Sequence, residues 1–114
     1  MEFAHTAVAI LPSSDLDASQ AFYERLGFVV TSDYAAHGYR ILRDASGASV
    51  HLTRVEAGSV DPDRNAHGVY LYSEDVEALA GALGARAEDK PWGLKEFAVS
   101  DPDGTLVRVG WPGA

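Results

Sequence analysis

With 114 residues, of which 46% are hydrophobic, the chain is predicted to form one small globular domain. Seventeen acidic residues against nine basic ones give a net charge of -8, which disfavours nucleic acid and suits a cationic ligand, although acidity of this size also serves solubility alone. The absence of cysteine excludes disulfides, thiolate metal ligands and a cysteine nucleophile.

The first half of the chain is predicted to form a strand, a helix and three further strands. The apolar run Phe3–Leu11 predicts a strand that Pro12 ends. Ser14, followed by acidic residues, is a candidate helix cap, and apolar residues at helical spacing predict an amphipathic helix over 15–26 that Gly27 ends. Three β-like segments follow at 28–34, 39–43 and 48–54. These elements make up a βαβββ module over residues 1–55.

The same order recurs after a linker over 56–66, which contains glycine and proline and has no apolar period. A strand at 68–72, a helix that Ser73 caps and Gly84 closes, and the strands within 91–109 form a second module over 67–114. Turns of the pattern Asp-x-x-Gly occupy corresponding places in the two halves. This internal repeat predicts an α+β domain in which two βαβββ modules form a curled mixed sheet around a cleft, where a ligand would bind.

Two stretches of the sequence are distinctive, and they are LPSSDLDASQAFYERLGF at 11–28 and PWGLKEFAVSDPDGTLVRV at 91–109. They resemble the bleomycin-resistance branch of the glyoxalase, bleomycin-resistance and extradiol-dioxygenase superfamily, also called the vicinal oxygen chelate superfamily. The resemblance implies the paired-module fold and a two-fold homodimer in which both chains line each ligand groove. It does not imply a reaction, because the superfamily contains both metalloenzymes and binding proteins that catalyse nothing.

The resemblance also implies four positions for a divalent metal, which fall at His5, His51, Gly68 and Arg108. Glycine has no donor group, and a guanidinium stays cationic and repels a metal ion. His67 lies beside the Gly68 position, but a shift of one residue turns a side chain to the other face of a strand. We therefore expect no metal and no other cofactor; if a metal is held, its ligands are His5, His51 and His67.

Other catalytic patterns are weaker. No serine lies in a Gly-x-Ser-x-Gly elbow, and no glycine-rich loop joins a strand to a helix as phosphate binding requires. The sequence Asp101-Pro102-Asp103-Gly104 resembles a pair of catalytic carboxylates, but it is typical of a type I turn. No catalytic residue is assigned.

The aromatic residues are more informative. Trp92 is predicted to lie in an exposed loop, an unusual place for a core residue, and in the bleomycin-resistance pattern a tryptophan here stacks on the flat part of the antibiotic. Tyr34 and Tyr39 are candidate further walls of the groove, and planar rings also attract cations. The alternative is that Trp92 packs under its own loop or at a dimer interface. The predicted ligand-binding residues are Trp92, Tyr34, Tyr39, His51 and Arg108.

The sequence therefore favours a metal-independent homodimer that sequesters a cationic, partly aromatic antibiotic such as bleomycin, with no enzymatic step. No apolar run approaches the ~20 residues of a membrane helix and no secretory signal is recognisable, so we expect a cytoplasmic protein without a membrane or nucleic-acid partner. Two alternatives stay open. One is a metal-dependent enzyme of the glyoxalase or dioxygenase type that uses His5 and His51, and the other is a regulatory module whose cleft is vestigial.

Overall fold

A computed structural model describes residues 5–113, which form two βαβββ modules. Two short 3-10 helices, Ala35–His37 and Pro62–Arg64, lie in connecting segments. The strands and α-helices are β1 (Ala9–Ser13), α1 (Leu16–Glu24), β2 (Val29–Tyr34), β3 (Tyr39–Arg43), β4 (Ser49–Arg54), β5 (Gly68–Tyr72), α2 (Val76–Ala82), β6 (Glu88–Asp89), β7 (Leu94–Ser100) and β8 (Leu106–Pro112).

Each module builds one four-stranded mixed sheet, so the predicted α+β class and repeat are confirmed. The first sheet has the strand order β1-β4-β3-β2, and the second has the order β5-β8-β7-β6. In both sheets the first strand of the module pairs parallel to the last, and the other pairs are antiparallel. Within residues 5–113, no helix is long and apolar enough to cross a bilayer.

One face of each sheet is covered by the helix of its own module. Alternate residues of the strands are buried against these helices, as the period of two in a strand requires. The buried side chains of this core include Leu42, Val50 and Leu52 in the first sheet, Phe97, Val107 and Val109 in the second, and Leu16, Tyr23, Val76 and Ala80 of the helices.

The first strand differs from its predicted bounds. Phe3 lies outside the described residues, and β1 starts at Ala9, where its pairing with Val50 of β4 begins. The prediction that Pro12 ends the strand is wrong. Since β1 is an edge strand of this sheet, the missing N–H of Pro12 is tolerated and pairing runs on to Ser13.

The predicted capping residues also need correction. Asp15, and not Ser14, caps α1, because its carboxylate accepts from the backbone N–H groups of Asp17 and Ala18 at 3.0 and 3.2 Å. The Ser14 N–H donates instead to the carboxylate of Asp103. In α2 the residue before the helix is Asp75, with no side-chain cap, and the Ser73 hydroxyl accepts only from the Asp75 N–H.

The turn between β7 and β8 joins the two modules. Asp101 is buried, and its carboxylate accepts from the backbone N–H groups of Asp103 and Thr105 within the turn. It also accepts from the hydroxyl of Tyr23 in α1 at 2.8 Å. The Asn65 amide donates to the Asp103 carbonyl and to the Thr105 hydroxyl, both at 3.0 Å. The predicted turn is therefore also the structural junction between the halves.

Candidate functional site

The sheet faces turned away from the helices carry most of the predicted ligand-binding residues. On β8, Val107 and Val109 are buried against the helix side, and Arg108 between them projects to the open face. On β4, His51 lies in the same way between buried Val50 and Leu52. His51 and Arg108 each follow the turn glycine of their module by four residues, and the strand registers agree that the two positions are equivalent.

A buried carboxylate organises the open face of the second sheet. Glu96 on β7 is 3% exposed, and its Oε1 accepts from the Tyr70 hydroxyl at 2.7 Å and from the Trp92 indole N–H at 3.4 Å. Its Oε2 accepts from Arg108 Nη1 at 3.2 Å. Three side chains from β5, from the loop before β7 and from β8 thus meet at one carboxylate.

A glycine on β8 makes room for this arrangement. Gly110 lies beside Tyr72 and Glu96 in the strand register. A Cβ at Gly110 would overlap the hydroxyl of Tyr70 and lie 3.1 Å from its Cζ. The Tyr70 ring therefore lies across the bare backbone of β8, which brings its hydroxyl to Glu96. Tyr72 stands beside it, with ring centroids 4.6 Å apart.

Trp92 lies in a tight turn between β6 and β7. The turn is closed by a hydrogen bond from the Gly93 N–H to the Lys90 carbonyl at 3.0 Å, and Gly93 has φ +85. The side chain of Trp92 is 59% exposed, so it does not pack under its own loop in this chain. Its indole N–H is tied to Glu96, and much of the ring is left accessible.

The first sheet carries a corresponding but smaller polar pair. Tyr39 and His51 are bonded through the hydroxyl and Nδ1 at 2.6 Å, with the rings edge to face. Since Ile41 pairs with His51 and Ala98 with Arg108, Tyr39 occupies the position that Glu96 has in the second sheet. Tyr34 pairs with Tyr39 across strands and is 52% exposed. The predicted ligand residues are thus divided between the two sheets.

The protonation of the Glu96 cluster does not suit proton transfer near neutral pH. The hydrogen bond from Tyr70, together with those from Trp92 and Arg108, lowers the pKa of Glu96 although burial opposes this. Burial, followed by the bond to Glu96, raises the pKa of Tyr70 to about 12. Efficient general acids and bases have pKa values near the working pH, so an ionised carboxylate and a neutral phenol here favour binding over acid–base chemistry.

Two concavities of the chain lie away from these residues. One open depression of about 570 Å³ is lined by the first turn of α2, by Lys95 and by Trp111, which is 41% exposed. Another of about 330 Å³ lies at the start of α1 beside Arg40 and Arg54. Neither contains a predicted ligand residue. We therefore assign the candidate site by the side chains that meet on the open sheet faces.

The sequence matches the family model of the Glyoxalase/Bleomycin resistance protein/Dioxygenase superfamily over residues 2–109. The chain belongs to this superfamily. A search of curated protein sequences gave no match to this chain.

Several solved structures of superfamily type are similar to this chain. A bleomycin-binding protein complexed with bleomycin is 27% identical with a TM-score of 0.81, and the match covers 96% of this chain and 100% of that one. A bleomycin resistance determinant encoded on the transposon Tn5 is also 27% identical with a TM-score of 0.81, covering 97% and 100%. TnmS3, an antibiotic binding protein from Streptomyces sp. CB03234, is 27% identical with a TM-score of 0.73, covering 99% of each chain.

The superfamily metal positions do not fit a metal in this chain. The register places Gly68 two residues before the partner of Arg108, and the residue two before the partner of His51 is Val8. His5 was assigned to this first-strand position, but it lies in a bend outside β1. The corrected set holds one potential ligand, His51, whose Nδ1 is already bonded to Tyr39.

His67, the third histidine of the alternative metal set, is not grouped with other potential metal ligands among the residues that the structure describes. His67 is exposed and its Nδ1 is 2.8 Å from the Asn65 amide oxygen. Within residues 5–113, no three His, Cys, Asp or Glu side chains are grouped so that they could hold a metal ion. The donor set that a superfamily metalloenzyme needs is therefore not assembled by these residues.

Sequence reasoning missed Glu96, Tyr70 and Gly110 as parts of the candidate site. Glu96 lies four residues after Trp92 in the stretch 91–109, so this short separation was a local signal that the two side chains could interact. Tyr70 was recognised as a strand residue, but its direction depends on the register of β5 with β8. The role of Gly110 depends on the side chain that crosses it.

Proposed function

We propose that this chain is a metal-independent, cytoplasmic binding protein that sequesters a flat, cationic, partly aromatic antibiotic of the bleomycin type. The observation that carries the proposal is the pair of exposed rings, Trp92 and Tyr72, on one open sheet face. The similarity to a bleomycin-binding protein and to other antibiotic-binding proteins supports it. Protection would follow from mass action, since bound drug is withheld from its target.

The chemistry of the face suits such a ligand. Trp92 and Tyr72 are 59% and 64% exposed and offer ring faces for stacking. A cation over such a ring gains about 0.5–2 kcal/mol, more when water is excluded. The opposite charges of Glu96 and Arg108 cancel at this face. The net charge of -8 therefore comes from the other residues of the chain, and it attracts cations from a distance.

A second copy of the chain would provide the other wall of the site, and we infer a homodimer. Small-molecule sites usually bury most of the ligand in a concave space, but each open face here is a surface. Ile10, Tyr34 and Tyr72 are all more than half exposed on these faces, which favours their covering by a partner. Sedimentation velocity at the concentration of a binding assay measures this, and a monomer that binds ligand would contradict it.

The metalloenzyme alternative makes a different prediction about the purified protein. Because the superfamily positions hold Val8, His51, Gly68 and Arg108, we expect no stoichiometric nickel, zinc, iron or manganese by metal analysis and no loss of ligand affinity after chelation. A stoichiometric ion that is lost in His51→Ala would favour the enzyme and overturn the metal-independent proposal.

The central test replaces Trp92 with alanine and measures binding of metal-free bleomycin by titration calorimetry. We expect the contact between the Trp92 ring and the ligand to contribute about 1–2 kcal/mol to the binding free energy, so its loss should raise the Kd about five- to thirtyfold. Trp111→Ala is the matched control, because Trp111 is also partly exposed but lines the depression beside α2. We expect that variant to stay within about twofold of the parent.

The other outcomes separate the remaining alternatives. If the parent protein binds neither metal-free nor copper-loaded bleomycin nor another cationic aromatic drug, the vestigial module is favoured. If both tryptophan variants lose affinity equally, the site is not at the open face of the second sheet.

A further inference from the structure

We propose that Glu96 is a positioning residue that fixes Trp92 and Tyr70 in the orientation needed to bind ligand. The inference rests on the proposed function and deepens it, because it assigns the arrangement of the aromatic wall to one buried carboxylate. Glu96 is not one of the four superfamily metal positions, so the comparison with those positions does not predict this role.

The geometry gives Glu96 three partners and little access to solvent. Its Oε1 is shared by the Tyr70 hydroxyl at 2.7 Å and the Trp92 indole N–H at 3.4 Å, and its Oε2 accepts from Arg108 at 3.2 Å. At 3% exposure it is covered by these same side chains. A ligand on the face therefore meets Trp92 and Arg108 before Glu96, so Glu96 acts through them.

Trp92 needs such an anchor because of where it stands. Its turn is on the surface, and its side chain is 59% exposed. An exposed side chain that is free to change rotamer loses that freedom when it binds ligand, and this loss weakens binding. The bond to Glu96 restricts the indole before the ligand arrives, which removes part of that loss.

The carboxylate cannot be replaced by an amide of the same shape. An amide group has one oxygen acceptor and one NH₂ donor, so its NH₂ end would face either the N–H of Arg108 or the O–H of Tyr70 and the N–H of Trp92. Glu96→Gln therefore keeps the size of the side chain and breaks part of the cluster. Glu77→Gln is the matched control. Glu77 lies on α2 and pairs at 3.1 Å with Lys95, the neighbour of Glu96 on β7, so this variant removes a carboxylate outside the Glu96 cluster.

The first measurement needs no ligand. In a Trp111→Phe background the only indole is that of Trp92, and ¹⁵N relaxation gives the order parameter of its N–H bond. We expect a value near that of rigid groups, about 0.8, in the background protein and in Glu77→Gln, and below about 0.6 with Glu96→Gln. A mobile indole in the background protein itself overturns the proposal, even if Glu96→Gln does not fold.

The second measurement is a double-mutant cycle with metal-free bleomycin as the probe. We expect Glu96→Gln to weaken binding about fivefold or more in the parent, and by a clearly smaller factor in the Trp92→Ala background, where only the positioning of Tyr70 is left to lose. Full additivity with an unchanged order parameter would show a direct ligand contact and overturn the positioning role, as would unchanged affinity in Glu96→Gln. If the parent does not bind the probe, the proposed function fails, and the order parameter alone decides the role of Glu96.

Discussion

Replacing Asp101 with alanine is expected to lower the free energy of unfolding by about 3–5 kcal/mol. The carboxylate is 4% exposed and accepts three hydrogen bonds, from Tyr23, Asp103 and Thr105. Each buried donor left without a partner costs about 1–3 kcal/mol. The net loss is less than the sum of these, because burial raises the pKa of Asp101 and so already opposes its charged form.

Two variants separate the turn from the junction between modules. Asp44 accepts from two backbone N–H groups in the corresponding turn of the first module but has no buried tyrosine partner, so Asp44→Ala should cost about 1 kcal/mol. Tyr23→Phe removes one bond between the modules and leaves the turn bonds of Asp101 intact, and we expect a loss of about 1–2 kcal/mol. Urea denaturation followed by circular dichroism gives these values. Equal losses in Asp101→Ala and Asp44→Ala would contradict a role for Asp101 beyond its turn.

Local sequence patterns predicted the repeated elements well because each depends on neighbouring residues. The Asp-x-x-Gly turn is an example: the bond from the Gly104 N–H to the Asp101 carbonyl at 3.0 Å closes it as expected. The same local view could not show that Tyr23 binds Asp101, because 78 residues separate them. Nor could it separate Ser14 from Asp15 as the helix cap, since both are good capping residues and a distant partner, Asp103, takes the Ser14 N–H.

The candidate site could be predicted only in part for a related reason. Trp92 was found because an exposed tryptophan before a strand is an unusual local feature. The cluster around it depends on which residues of three strands lie side by side, and a change of one residue in register reverses every side chain. The first-strand position of His5 is corrected for a different reason: the apolar run extends further than β1, which starts at Ala9, so His5 lies in a bend outside the strand.

Gly104→Ala is expected to destabilise the chain by about 2–5 kcal/mol, again through the junction of the modules. Gly104 has φ +85, a conformation in which a side chain costs about 1–2 kcal/mol. A Cβ there would also lie 2.6 Å from the Cα and 2.7 Å from the carbonyl carbon of Pro62, with the Pro62 oxygen nearer still. Because these are backbone atoms, the segment around Pro62 must move as a whole, which adds about 1–3 kcal/mol.

Gly47→Ala is the matched control for the backbone cost. Gly47 ends the corresponding turn of the first module with φ +96, so its replacement has the same strained backbone without the contact to Pro62. Its Cβ would have only the end of the Arg43 side chain, at 4.0 Å, within reach. The backbone cost is therefore shared by the two variants, and we expect about 1–2 kcal/mol for Gly47→Ala in the same urea titration. The difference between the variants measures how tightly the segment at Pro62 is held against the turn. If Gly104→Ala costs no more than Gly47→Ala, that segment moves aside freely and does not hold the junction, which then depends on other contacts such as the bonds of Tyr23, Ser14 and Asn65.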